Sequence, residues 1–137
     1  MNMIENRIEE IKSDLEIFDD DLQKYEYIID LGKSLTPLEE KHKKDENLVQ
    51  GCTSKVWLVC EKDADKLIFK ADSNAAIVKG LVKILLTLYS GLTPNEILQM
   101  DKQVLQELKL EEIITPNRQS GVQGMIKRIN EYAHAFA

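Results

Sequence analysis

The stretch that decides the fold is residues 56–89, which read VWLVCEKDADKLIFKADSNAAIVKGLVKILLTLY. It opens with two short runs of mainly β-branched, aromatic and other apolar residues, Val56–Cys60 and Leu67–Phe69. The segment between them, 61–66, is polar and rich in turn-forming residues. Two such runs on either side of a polar turn predict a β-hairpin.

The second half of this stretch, Ala75–Tyr89, is apolar on almost every side. Its polar residues Lys79, Lys83 and Thr87 recur at intervals of four and therefore share one strip of a helix. We expect a central core helix that meets water along this strip only. The polar run DSN at 72–74 is of the type that caps a helix N-terminus.

Amphipathic helices are predicted on both sides of this central unit. One begins near the N-terminus, a second follows the acidic triplet at 19–21 and ends at Gly32, and a last one runs to the C-terminus. Their predicted apolar faces are Ile4, Ile8, Ile11 and Leu15; Leu22, Tyr25 and Ile29; and Val122, Met125, Ile126, Ile129, Tyr132 and Phe136. The pattern Thr-Pro-x-Glu at 36–39 and 93–96 combines a capping box with proline at the first helical position, and predicts two further helix starts.

These elements predict an α+β fold, in which a small antiparallel β-sheet carries helices mainly on one face. The length of 137 residues fits a single domain over 1–137, since domains commonly contain roughly 100–200 residues. The net charge of −6 disfavours contact with phosphate backbones, so we expect no nucleic-acid partner. Because Ala75–Tyr89 is too short to span a bilayer and the N-terminal residues are polar, we expect no membrane association and a cytoplasmic location.

Few residues are typical of a catalytic or metal site. The sequence has two histidines, His42 and His134, and contains no glycine-rich phosphate loop, no HExxH and no CxxC. Cys52 and Cys60 are too few for a disulfide scaffold, and their spacing from the histidines matches no zinc-ligand pattern. We therefore predict no metal site, and the free thiols are the groups that need an explanation.

The two cysteines differ in their surroundings. Cys52 lies just before a predicted strand and follows Gly51, which permits backbone angles that a tight, projecting loop requires. Residue type and spacing leave two interpretations open for Cys52: a reactive loop thiol, or a small residue packed under the loop. Cys60 ends an unbroken apolar strand and is predicted to be a core thiol.

Four segments of the chain, taken in order, resemble the SufE family. The cysteine loop VQGCTSKVW at 49–57 is similar to the family signature V-x-G-C-Q-S-x-V-W. The other three are ADSNAAIVKGL at 71–81, LTPNEI at 92–97 and ITPNRQSG at 114–121, similar to G-D-S-D-A-x-I-x-K-G-L, L-T-P-x-E-I and L-T-P-S-R-x-x-G. SufE proteins and their paralogue CsdE accept sulfur from cysteine desulfurases during iron–sulfur cluster assembly.

The resemblance implies that Cys52 accepts persulfide sulfur from a pyridoxal-phosphate-dependent cysteine desulfurase of the SufS or CsdA type. It also implies stimulation of that desulfurase and delivery of the sulfur to a scaffold such as SufBCD. No cofactor is implied for this chain, since the pyridoxal phosphate belongs to the desulfurase. Gly51, Arg118 and Asp72 are implied as residues that support the loop or contact a partner, although helix capping alone would also explain Asp72.

Shielding of the thiol is a further expectation, because an exposed persulfide would be cleaved by cellular thiols. The residue types at Val49, Val56 and Trp57 make them the expected apolar cover of Cys52. Two rival functions remain: a thiol redox protein that uses Cys52 with or without Cys60, and a non-catalytic adaptor of the desulfurase. The sequence leaves open the SufE or CsdE type, and whether the free protein is a monomer or a homodimer.

Overall fold

The computed structural model describes residues 3–100 and 103–137, and so covers the predicted domain except for positions 1–2 and 101–102. It contains one two-stranded antiparallel sheet with helices before and after it, which confirms the predicted α+β fold. The helices and strands are α1 (Met3–Glu16), α2 (Asp21–Lys33), β1 (Val56–Asp63), β2 (Lys66–Ser73), α3 (Ala76–Tyr89), α4 (Pro94–Leu98), α5 (Val104–Glu107) and α6 (Pro116–Phe136). Three short 3₁₀ turns complete it: Glu40–His42, Asp45–Asn47 and Leu110–Glu112.

The predicted hairpin is confirmed, and its strands are longer than the apolar runs. The register pairs Val56 with Ser73 at one end and Asp63 with Lys66 at the other. Only two residues, at 64–65, therefore make the turn. The other polar residues of the predicted turn, 61–63 and 66, are paired within the two strands. Because paired residues of an antiparallel sheet point to the same face, the pairs Val56–Ser73 and Leu58–Ala71 share the buried face.

The central core helix is also confirmed. Its apolar residues are buried on most sides of α3, and Lys79, Lys83 and Thr87 remain at least partly accessible. The predicted cap is wrong, because Asp72 and Ser73 end strand β2 and Ala75 occupies the N-cap position without a side-chain hydrogen bond. None of the helices in residues 3–100 and 103–137 has both the length and the apolarity needed to cross a bilayer.

The N-terminal helices match the prediction in part. All four predicted residues of α1 are buried, and Asp20 caps α2 by accepting a hydrogen bond from the Gln23 amide at 2.8 Å. The predicted apolar face of α2 is wrong at Leu22, which is 66% exposed. Tyr25 and Ile29 do pack against the core, where they are partly buried, and the fully buried residues of the helix are Ile28 and Gly32. Gly32 does not end the helix, since α2 continues to Lys33. It lies against α3, where a Cβ on Gly32 would meet the Gly80 nitrogen at 2.7 Å.

The two Thr-Pro-x-Glu patterns behave differently. Thr93 begins α4 with a complete capping box, in which its hydroxyl accepts from the Glu96 amide at 3.2 Å and Glu96 accepts from the Thr93 amide at 2.9 Å. The helix predicted at 36–39 is wrong: the segment is irregular and leads to the 3₁₀ turn Glu40–His42. The Leu38 amide donates to the Asp72 carboxylate at 3.1 Å, so a distant residue replaces the local cap.

The last helix, α6, is the longest of the described elements and carries most of its predicted apolar face inward. Thr115 caps it by accepting from the Arg118 amide at 3.4 Å. Val122, Met125 and Ile129 are buried, whereas Phe136, at the end of the predicted face, is 37% exposed. This arrangement places the first turns of α6 beside the loop that precedes β1, where Cys52 lies.

Candidate functional site

The Cys52 loop is closed by main-chain pairing at its two ends. The Val49 amide donates to the Val56 carbonyl at 2.9 Å, and Leu48 forms an isolated antiparallel bridge with Trp57. Residues 50–55 therefore project as a short loop from the beginning of β1. Gly51 has φ of +88°, a left-handed conformation that glycine adopts readily and other residues rarely do. This backbone requirement is the role that the structure assigns to Gly51.

Cys52 is half-buried against the first turns of α6. Its Sγ donates a weak hydrogen bond to the Gly121 carbonyl at 3.6 Å, an acceptable distance for sulfur. Beside it lies a cavity of about 10 Å³, room for about one water-sized group. The cavity is lined by Cys52, Thr53, Ser54, Val78, Leu81, Asn117, Arg118, Gly121 and Met125. The shielding thus comes from α3 and α6, and the predicted cover residues Val49, Val56 and Trp57 are not in this lining.

Burial controls the ionisation of the thiol. Desolvation raises the pKa of Cys52 above its ordinary value, because the apolar surroundings penalise the charged thiolate. At neutral pH the thiol is therefore protonated in the closed loop and a weak nucleophile there. Movement of the loop away from α3 and α6 would rehydrate the sulfur and favour the thiolate, so loop position and reactivity are coupled.

Arg118 reaches the Cys52 loop from the first turn of α6. Its Nη1 donates to the Ser54 Oγ at 3.0 Å, and its side chain also lines the cavity beside the thiol. Because the cap at Thr115 fixes the start of the helix, the guanidinium projects from a rigid element onto a loop that has little regular structure. This geometry agrees with a loop-supporting role for Arg118.

Asp72 is buried, with only 4% of its surface exposed, and does not line the cavity. Its carboxylate accepts from the amides of Leu38 and Ser73, and its oxygens lie 3.6 Å from Lys43 Nζ and 4.0 Å from Lys79 Nζ. Such burial leaves little of Asp72 for a partner to contact. Its position favours support of the fold over partner binding.

Ser73 links this carboxylate to the cysteine loop. Its Oγ donates to the Lys55 carbonyl at 2.7 Å and accepts from the Ala75 amide at 3.3 Å. The end of the Cys52 loop is thereby joined to the entrance of α3. Sequence reasoning missed this role, because a serine ahead of a helix is most simply interpreted as a capping residue.

The second thiol lies in a different place. Cys60 pairs with Phe69 in the sheet, and burial, followed by the nearby Glu61 charge, raises its pKa to about 11. The pairing that closes the Cys52 loop ends at Val56, which is roughly 13 Å along the strand from Cys60. Both cysteines are free. This arrangement gives no support to a Cys52–Cys60 disulfide, whose Cα atoms would have to lie about 4.4–6.8 Å apart.

Two glycines of α6 were not singled out by the sequence analysis. A Cβ built on Gly124 would lie 2.4 Å from the Gln50 carbonyl oxygen, and one built on Gly121 would lie 3.4 Å from Cys52 Sγ. They allow the helix to approach the loop closely. The available signal was the glycine that ends the ITPNRQSG segment. Among residues 3–100 and 103–137, no group of three or more histidine, cysteine or carboxylate side chains is placed to hold a metal ion.

Comparison with known proteins agrees with this fold and with the sequence resemblance. The solution structure of a hypothetical protein from Thermus thermophilus superposes with a TM-score of 0.78, covering 95% of each chain at 15% identity, and so shows the shared fold alone. The family model described as "SufE: Fe-S metabolism associated domain" matches residues 9–133, nearly the whole chain. The chain therefore belongs to the SufE family and is associated with Fe–S metabolism.

Proposed function

We propose that this protein accepts persulfide sulfur on Cys52 from a pyridoxal-phosphate-dependent cysteine desulfurase and delivers it to an Fe–S cluster assembly scaffold. The observation that carries the proposal is the position of Cys52: a half-buried loop thiol beside a small apolar cavity, in a chain of the SufE family. The desulfurase would be of the SufS or CsdA type and the scaffold one such as SufBCD. The chain itself would need no cofactor.

The transfer is a thiol exchange without net oxidation or reduction. The Cys52 thiolate attacks the outer sulfur of the donor cysteine persulfide and forms a new S–S bond. The donor S–S bond breaks, its electron pair leaves with the inner sulfur as a thiolate, and that thiolate takes up a proton from solvent. The proton lost by Cys52 goes to solvent when its thiol ionises. Because this reaction frees the donor cysteine for another cycle, sulfur acceptance would also stimulate the desulfurase.

The geometry offers a way to combine protection with reactivity. In the closed position the cavity shelters the sulfur, and burial keeps the pKa of the Cys52 thiol above its ordinary value. In an open position, reached at the partner surface, the thiol would ionise and attack. Gly51 would supply the backbone freedom for this change, and the Arg118–Ser54 hydrogen bond would hold the closed position. Asp72 would act indirectly, through the Ser73–Lys55 contact.

The test is to incubate the protein with its cysteine desulfurase and free cysteine, and to measure intact mass without reductant. We expect added sulfur on the parent and on Cys60→Ser, none on Cys52→Ser, and faster alanine release only with the two proteins that keep Cys52. Cys60→Ser is the matched control, because it removes the other thiol.

Three results would contradict the proposal. Sulfur transfer that survives in Cys52→Ser would assign the carrier elsewhere. A disulfide in place of a persulfide would favour the redox function. Full stimulation of the desulfurase by Cys52→Ser, with no sulfur on the parent protein, would favour the adaptor.

A further inference from the structure

The contact between Gly121 and Cys52 contains more room than the reduced thiol requires. Gly121 lies within α6 and has an ordinary helical backbone, in which alanine is the better helix former. A Cβ at this position would lie 3.4 Å from Cys52 Sγ and 3.9 Å from its Cα and Cβ, which are ordinary contact distances. Neither backbone conformation nor packing against the thiol therefore accounts for glycine here.

Gly124, one turn later, is different. A Cβ there would lie 2.4 Å from the Gln50 carbonyl oxygen, so the loop could not take its observed position whatever the state of the sulfur. Glycine is therefore required at position 124 for the loop to pack against α6. Gly121 borders the cavity beside the thiol, and a methyl group on it would occupy part of a space of about 10 Å³.

We propose that Gly121 is the positioning residue for the second sulfur: its missing side chain leaves the space in which the outer sulfur of a Cys52 persulfide is enclosed. This inference rests on the proposed function, and it names the persulfide as the state of Cys52 that requires glycine at position 121. In the persulfide, Sγ carries no hydrogen and gives up its bond to the Gly121 carbonyl. The outer sulfur then lies in the cavity, whose lining is almost entirely apolar and therefore shields it from water and from attacking thiols.

The experiment compares the parent with Gly121→Ala, both in a Cys60→Ser background so that one thiol is present. The persulfide is installed chemically with glutathione persulfide: the Cys52 thiolate attacks the outer sulfur and glutathione leaves as a thiolate, which is protonated. The loss of the Cys52 persulfide to excess glutathione is followed by intact mass. The reactivity of the reduced Cys52 thiol is measured separately, as its alkylation rate. Because no desulfurase takes part, failure of enzymatic sulfur transfer and failure of this inference are separate results.

We expect the reduced thiol of Gly121→Ala to be alkylated within about twofold of the parent rate, while its persulfide is lost about tenfold faster, in line with the cost of a tightly overpacked site. Ser120→Ala, an exposed neighbour on the same helix, is the matched control and should change neither rate. Equal persulfide lifetimes in Gly121→Ala and the parent would overturn the inference. So would a parallel change in the thiol and persulfide rates, or a variant that no longer folds, because the reduced state is argued to accept the methyl group.

Discussion

The crossing of α2 with α3 and the contact of α6 with the Cys52 loop both depend on glycines, but for different reasons. A Cβ on Gly80 would lie 2.0 Å from the Ile28 carbonyl oxygen, and one on Gly32 would lie 2.7 Å from the Gly80 nitrogen. There the backbones of two hydrogen-bonded helices meet, and neither can shift alone. At the cysteine loop, the partner of Gly121 is a side-chain sulfur on a segment without regular structure.

The glycines of the α2–α3 crossing allow two rigid helices to pack closely, whereas Gly121 leaves space beside the sulfur of Cys52. The α2–α3 crossing needs glycine in every state of the protein, because any side chain would separate the two helices. At the loop contact, Gly124 is likewise needed in every state, whereas Gly121 is needed only where a larger sulfur group must be enclosed. The first contact should therefore determine global stability, and the second should determine the local reactivity of Cys52.

The largest expected effect is that of Gly80→Ala. Since the added methyl would collide with the α2 backbone, we expect the free energy of unfolding to fall by about 3 kcal/mol, the upper end of overpacking costs. Urea unfolding measures this change. Thr87→Ala, on the exposed strip of the same helix, is the control and should stay within about 0.5 kcal/mol. An unchanged urea midpoint for Gly80→Ala would mean that α2 and α3 can shift to accept the methyl group, and would contradict a rigid crossing.

A smaller and local effect is expected for Arg118→Ala. Loss of the hydrogen bond to Ser54 Oγ removes about 1 kcal/mol from the closed loop, which corresponds to roughly fivefold faster alkylation of Cys52. The rate is measured in a Cys60→Ser background, and the urea midpoint should change little.

Ser54→Ala sharpens this test, because it removes the acceptor and leaves the guanidinium in place. If the contact carries the effect, the double variant is no faster than Arg118→Ala alone. Additive rates, or a rate unchanged in Arg118→Ala, would show that the loop is held by other contacts.

The last expected effect concerns the pH dependence of the two thiols. Burial raises the pKa of both thiols, that of Cys60 to about 11. The alkylation rate of each thiol should therefore rise with pH, with a midpoint above 9.0, the ordinary pKa of a cysteine thiol. Single-cysteine variants, Cys60→Ser and Cys52→Ser, report one thiol each, and in urea both midpoints should return to the ordinary value. Arg118→Ala should lower the Cys52 midpoint and leave that of Cys60 unchanged. A native Cys52 midpoint at or below 9.0 would contradict the shielding.

Local patterns were sufficient for much of the fold. The hairpin and the core helix follow from apolar runs and periodicity, because burial of apolar surface dominates there and the pattern itself marks the buried face. The capping box at Thr93 was equally predictable, since all of its hydrogen bonds lie within four residues. The matching pattern at Thr36 failed because the Leu38 amide binds the carboxylate of Asp72, a partner 34 residues away.

The face of α2 could be predicted only in part, for a similar reason. Its apolar residues alone indicate a side that includes Leu22, yet contact between Gly32 and Gly80 turns Ile28 inward and leaves Leu22 exposed. A glycine contributes no hydrophobicity to a periodic pattern, so a contact made through missing side chains is invisible to it. For the same reason, the apolar pattern of α6 did not reveal the roles of Gly121 and Gly124.

The sequence by itself determined that a cysteine sits on a glycine-containing loop ahead of a strand, and that the chain resembles the SufE family. Only the tertiary structure decided what surrounds that thiol. The walls of the cavity come from α3 and α6, and the carbonyl that accepts from Cys52 Sγ belongs to a residue 69 positions further along the chain. The physical reason is that burial and the resulting rise in the pKa of Cys52 depend on which distant groups exclude water, which no local spacing encodes.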